Sequence, residues 1–237
     1  MRGVLFDLDG TLLDIDLQSF LDRYFEALTE WSLPVLPAGT PPQSFRAAVS
    51  ACTRAMMAPH LGRTNREVFN DEMQRLIGIS MDDVWPVYER FYAEVFPSLR
   101  DSAAPRAGAR RAVTTALDLG LSVVIATNPI FPKSAVEARL AWAGLDDLPF
   151  AGVTSYEHAT ACKPHATYFR EAAALAGLEP HECLMVGDDR FLDMPASDVG
   201  MKTFYVGDTE GNLWADASGS LDDLVALLPA LVRSSGG

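Results

Sequence analysis

Four short apolar runs, each stopping at a polar or glycine/proline turn, constrain this chain more than any other feature. They occupy residues 3–8, 121–126, 183–186 and 203–206. Runs of that length, rich in Val, Leu and Ile and bounded by turn residues, read as strands buried on both faces. Between them lie helical patterns that open at a proline and close at a glycine: 105–119 before Gly120, 132–143 before Gly144, and 164–176 before Gly177. Proline fits the first helical turn, and glycine takes the left-handed conformation that ends a helix. Strand and helix in alternation predict an α/β fold, a parallel sheet with helices on both faces.

One segment breaks the rhythm. Residues 16–99 contain no strand-like run but do hold amphipathic stretches at 17–31, 44–57, 65–77 and 82–96, with Pro34, Pro37, Pro41 and Pro42 between the first two. This predicts a helical insertion after the first strand. Its aromatics (Phe20, Tyr24, Phe25, Trp31, Phe69, Trp85, Tyr88, Phe91, Tyr92 and Phe96) are expected to pack between helices, with a minority lining a pocket.

Charge narrows the partners. Thirty-two acidic against 19 basic residues give a formal charge of −13. Such a field repels nucleic acid and anionic membranes, and no dense Lys/Arg run offsets it. An anionic substrate would therefore need a local positive site, a metal or a placed lysine. Cys52, Cys162 and Cys183 are sparse and form no C-x-x-C, which suits a reducing compartment. The histidines lack the i, i+4 pairing of a helical zinc site. No apolar run reaches membrane-span length, and Asp7 and Asp9 interrupt the first one, so a cytoplasmic protein is expected.

Ligands of an open parallel sheet bind at the carboxyl ends of its strands. Four such ends carry Asp7/Asp9, Thr127/Asn128, Asp188/Asp189 and Gly207/Asp208, while Lys163 stands in a turn before Pro164. Asp7 and Asp9, two apart, leave an extended chain on the same side. Gly10 permits a sharp turn and close backbone approach. Carboxylates of Asp7 and Asp188 suit a hard cation such as Mg²⁺, and a cation with Lys163 offsets phosphate charge. A carboxylate nucleophile gives an acyl phosphate that water hydrolyses, with Asp9 donating and then accepting the proton. Thr127 would hold the transferring oxygens. A calcium loop counted from Asp7 fails, because its required Gly and Glu positions hold Leu12 and Gln18.

These residues, in the order Asp7-Leu8-Asp9-Gly10-Thr11, Thr127-Asn128, Lys163-Pro164 and Gly187-Asp188-Asp189 with Asp193, resemble the four motifs of haloacid dehalogenase superfamily hydrolases. The resemblance spans essentially the whole chain. It implies a Rossmannoid core over 1–15 and 100–237 and a helical cap over 16–99. It also implies that Asp7 is nucleophile and Mg²⁺ ligand, and that Asp9 is general acid/base and metal ligand through its carbonyl. Asp188 would be a further metal ligand, supported by Asp189 or Asp193, and Thr127, Asn128 and Lys163 would bind phosphate. Three departures stand out: Thr160 where a glycine often precedes the lysine by three, a stretch after Asp193 one residue short, and the prolyl-rich run 127–132.

The expected function is Mg²⁺-dependent hydrolysis of a small phosphorylated metabolite by a monomer or homodimer. A phosphomutase or phosphotransferase would use the same nucleophile with another acceptor. A dehalogenase would leave Asp9 and Asp188 without a role, and a non-catalytic protein on this fold would have no need of Asp7. Asp193 is open between capping a helix and supporting the site. Asp16 is expected to cap the first helix of the insertion, and Asp208 to be a turn residue.

Overall fold

The computed structural model describes residues 1–60, 62–207 and 214–233; Asp208 lies outside them. Six parallel strands form the main sheet: β1 (Gly3–Phe6), β4 (Ser122–Ile125), β5 (Gly152–Val153), β6 (Cys183–Gly187), β7 (Lys202–Val206) and β8 (Ala217–Gly219), in the order β5-β4-β1-β6-β7-β8. A small antiparallel pair, β2 (Leu13–Ile15) with β3 (Ala103–Pro105), stands at the base of the insertion. The fold is α/β and Rossmannoid.

Side-chain alternation explains why the strands are apolar throughout. Val4, Phe6, Val123, Ile125, Leu184 and Val186 enter one core, and Leu5, Val124, Cys183 and Met185 the other. Successive residues of a strand point to opposite faces, so a sheet buried on both sides has no polar register left. α5 (Ala109–Asp118), α6 (Lys133–Trp142) and α8 (Leu221–Arg233) supply the first core, and α7 (Ala166–Ala174) the second. The reversal follows from handedness. The chain steps outward from β1 to β4 to β5, then returns across β1 to β6, and right-handed crossovers place the returning helix on the other face.

The insertion holds α1 (Leu17–Ser32), α2 (Pro42–Met57), α3 (Asn65–Ile77) and α4 (Met81–Arg90). Asp16 caps α1 by accepting from the Ser19 N–H at 3.1 Å. Thr64 and Glu67 form a reciprocal capping box on α3. The insertion shares its interior with the sheet domain: Phe96 stacks on Trp142 at 5.4 Å and Tyr24 meets Phe131 edge-on at 5.3 Å. No helix among the described residues is long and apolar enough to cross a membrane.

Several expected boundaries shift. The stretch 82–96 is not one helix; α4 ends at Arg90 and continues as a π turn (Phe91–Val95) and a 3-10 segment (Phe96–Ser102). Pro97 has no N–H, and its ring clashes with the carbonyl four residues back, so α geometry is not regained after the π turn. The expected helix start at Pro105 belongs instead to β3, because Leu13 and Ile15 recruit Pro105 and Ala103 as strand partners. Helix α7 begins at Ala166, two residues after Pro164. Strands β2, β3, β5 and β8, of two or three residues, carry too little pattern to be read in sequence.

Candidate active site

The strand order reverses at β1, which lies between β4 and β6, and there the carboxyl ends open into a cleft. The ladder runs one residue beyond β1: Asp7 N–H donates to the Val186 carbonyl at 2.8 Å and Ala126 N–H to that of Phe6 at 2.7 Å. This fixes Asp7 beside the ends of both neighbours. Of the ten residues singled out from sequence, all but Thr11 line one cavity of about 360 Å³.

Gly10 adopts φ +84°, and a Cβ there would strike the Asp188 carboxylate. Glycine is therefore required twice, for the turn and for the approach of the acid. Thr11 is fully buried, and its hydroxyl donates to Asp188 Oδ1 at 3.0 Å, so it orients Asp188 from behind. Burial, and then the charge of Asp7, hold the Asp188 carboxyl above its ordinary value, while the Thr11 hydrogen bond opposes them.

Lys163, 2% exposed, donates from Nζ to Asp7 Oδ1 at 2.7 Å and to Asp193 Oδ1 at 2.5 Å. Burial alone would lower the ammonium pKa, but Asp193 and Asp7 outweigh it and hold the group above its ordinary value. Lys163 is therefore a cation held beside Asp7. Asp193 does not cap the turn that follows it; its second oxygen accepts from Asp189 N–H at 3.1 Å. Asp189 in turn accepts from the N–H groups of Phe191 and Leu192 at 2.7 and 3.0 Å, fastening the loop that returns Asp193 to the lysine. A Cβ at Gly187 would collide with Asp193.

Asn128 Oδ1 accepts from the Lys163 backbone N–H at 3.2 Å, tying the second strand end to the lysine turn. The Thr127 carbonyl accepts from the hydroxyls of Thr154 at 2.6 Å and Tyr168 at 2.9 Å. The Tyr168 ring also lies 5.8 Å from the Lys163 ammonium. Thr160, where a glycine is commoner, is held at its backbone N–H by Glu171 of α7 at 2.9 Å.

Arg139 is the residue that sequence reasoning missed. It is 2% exposed and its guanidinium pairs with Asp9 Oδ2. It also lies 4.8 Å over the Phe131 ring. Asp9 Oδ1 is buried without a partner. Burial raises the Asp9 pKa, Arg139 opposes the rise and Asp7 adds to it. A signal existed: Ala135, Val136, Leu140 and Ala143 mark the buried stripe of α6, and position 139 falls on it. Arg106, which donates to the Gly10 carbonyl, was likewise unmarked. Arg46, Arg54, His60, Arg63 and Arg66 of the insertion do not line the cavity.

The donor set suits a cation. Carboxylate oxygens of Asp7, Asp188 and Asp193 all lie within 4.8 Å of one another, comparable with oxygens across a six-coordinate Mg²⁺ sphere of about 2.1 Å radius. Lys163 supplies one positive charge to both Asp7 and Asp193, and the Asp7 charge still pushes the Asp188 carboxyl up, a repulsion that a cation would relieve.

Comparison with known proteins agrees with this geometry. The sequence profile of haloacid dehalogenase-like hydrolases matches residues 1–197. The chain therefore belongs to the haloacid dehalogenase-like hydrolases. It is 30% identical over 213 residues to haloacid dehalogenase-like hydrolase domain-containing protein 3 of Xenopus laevis, covering 87% of this chain and 84% of that one. Its fold is similar to a HAD phosphatase from Thermococcus onnurineus (TM-score 0.59, 22% identity, 96% and 98% of the two chains). It is also similar to an L-2-haloacid dehalogenase from Xanthobacter autotrophicus solved with covalently bound chloropropionic acid (TM-score 0.57, 19% identity, 98% and 99%).

Proposed function

We propose that this hydrolase cleaves a small phosphomonoester with Mg²⁺, passing the phosphoryl group through Asp7. The observation that carries the reading is the buried Lys163 ammonium bridging Asp7 and Asp193, with Asp188 across from Asp7 in the same cavity. Halide leaves carbon without needing a proton, whereas the leaving oxygen of a phosphate ester needs one, and Asp9 stands in the cavity to give it.

An Asp7 carboxylate oxygen attacks phosphorus as the ester P–O bond breaks, and the departing oxygen takes a proton from Asp9. Asp9 Oδ1, buried and unpartnered, is the atom from which that proton leaves, while Arg139 fixes the other oxygen. Asp9 then takes a proton from water, which attacks the phosphoryl group and frees Asp7. Lys163 and Thr127 hold the phosphoryl oxygens. Mg²⁺, held by the carboxylates of Asp7 and Asp188 and the Asp9 carbonyl, would supply the positive charge that lets an anionic nucleophile meet an anionic phosphate. The helical insertion, acting as a cap over 16–99, would exclude water with Leu17 and Leu21 at the cavity wall.

The test is phosphate release across a panel of phosphomonoesters, with Mg²⁺ and with a chelator. Release is expected with Mg²⁺ and not with chelator. Activity that survives chelation, or an Asp7→Asn protein as active as the parent, would overturn the mechanism.

A further inference from the structure

A second cavity, of about 240 Å³, lies within the helical insertion and shares Leu21, Ile130 and Phe131 with the catalytic cavity. No charged side chain lines it, and half of its lining residues are aromatic. Its tyrosine hydroxyls are largely spent: Tyr24 and Tyr92 bond each other at 2.9 Å, and Tyr88 donates to Ser32 at 3.1 Å. Helix α1 joins the two spaces. Leu17 and Leu21 line the catalytic cavity, and Leu21, Phe25 and Leu28 line the second, so one helix face is a continuous apolar wall between them.

Interiors are packed to crystal-like density, and a void forfeits dispersion contacts around its whole lining. A cavity of about 150 Å³ already accepts benzene. Ser50, Thr53 and Tyr156 are the few remaining hydroxyls of the lining, so a sugar or a carboxylate placed here would lose more water contacts than it regained. An alkyl chain or an aryl ring would lose nothing and would fill the void.

We infer that the substrate is a phosphomonoester of an apolar alcohol, whose phosphate sits at Asp7 and Lys163 while its alkyl or aryl group passes Leu21 and Phe131 into the second cavity. This rests on the phosphatase reading above. Scaled from the benzene-sized void, the cavity limits the tail to about ten carbons.

The experiment measures kcat/KM for a series of n-alkyl monophosphates from methyl to tetradecyl and for phenyl phosphate, beside a sugar phosphate and phosphoglycolate, using the full chain with Mg²⁺. Calorimetric binding of the matching alkylphosphonates runs in parallel. Both quantities should rise about fourfold per methylene and level off at about ten carbons. Thr53→Phe, which pushes a ring into the cavity from α2, should flatten the series; Met73→Ala should move the plateau to longer chains. Each slope is a ratio within one protein, so a partly unfolded variant still reports it. A flat series, or a sugar phosphate or phosphoglycolate handled better than hexyl phosphate, overturns the inference and leaves the phosphatase reading standing. Absence of phosphate release from every member overturns both.

Discussion

The catalytic cavity and the cavity within the insertion touch through three side chains, yet they are built on opposite principles. The first buries Asp7, Lys163, Asp193 and Arg139, each compensated by another. The second contains no charge at all. Buried ions bring little net stability, because desolvation offsets attraction, but removing one partner leaves the other uncompensated. Aromatic burial is the reverse: each ring stabilises largely by itself, and fully burying a side chain such as Phe96 contributes about 1.5–3 kcal/mol. Chemistry therefore sits where the sheet's strand ends can hold opposed charges together. The neighbouring helices are left to supply shape.

Breaking this contrast at the nucleophile should have the largest effect. Asp7→Asn should lower the rate of phosphate release by at least about 10³-fold, measured in single turnovers, with the fold retained by circular dichroism.

Lys163→Met strands Asp7 and Asp193 together in the interior and should cost about 3–5 kcal/mol in denaturant unfolding. Adding Asp193→Asn should return part of that loss, as a coupling of about 0.5–3 kcal/mol. Strict additivity of the two would show that the ion pair does not govern the site.

Arg139→Lys keeps the charge but loses the flat guanidinium that lies over Phe131 and holds one oxygen of Asp9. A fall of about 10²-fold in kcat with little change in KM is expected, and an unchanged kcat would remove Arg139 from the mechanism. On the uncharged side, Tyr92→Phe deletes a single buried hydrogen bond to Tyr24 and should cost only about 1 kcal/mol.

The smallest effect is a shift in pH dependence. Burial holds Asp9 above its ordinary value, and burial with the Asp7 charge does the same for Asp188. Protonation of Asp188 removes an anionic ligand, so the acid limb of kcat/KM should begin at higher pH than an exposed carboxylate would give. Mg²⁺ competes with that proton, and raising its concentration should move the limb to lower pH. A limb insensitive to Mg²⁺ would dissociate Asp188 from the metal.

The catalytic side of the contrast was legible in sequence and the apolar side was not. Asp7, Asp9 and Gly10 announce themselves because a strand, a two-residue spacing and a positive-φ turn are local facts. The aromatics of the insertion were expected to pack, with only a minority lining a pocket. Six of those ten (Tyr24, Phe25, Phe69, Trp85, Tyr88 and Tyr92) line the second cavity. Helical periodicity gives the buried face of each helix but not the gap between faces, so packing and lining residues carry the same pattern. Arg139 escaped for a related reason: an arginine on an exposed helix face is ordinary, and only its place on the buried stripe marks it.

By itself the sequence determined the alternation of strands and helices, the helical insertion after the first strand, and the strand-end positions of Asp7, Asp9, Thr127 and Asp188. These depend on apolar period, turn residues and side-chain direction within a few positions. Only the tertiary structure decided that Lys163 bridges Asp7 and Asp193, that Arg139 fastens Asp9, and that an uncharged cavity adjoins the one that holds Asp7. Those features join residues 30 to 156 positions apart. Their energies come from burial and from charges brought within hydrogen-bond distance, neither of which exists until the chain has packed.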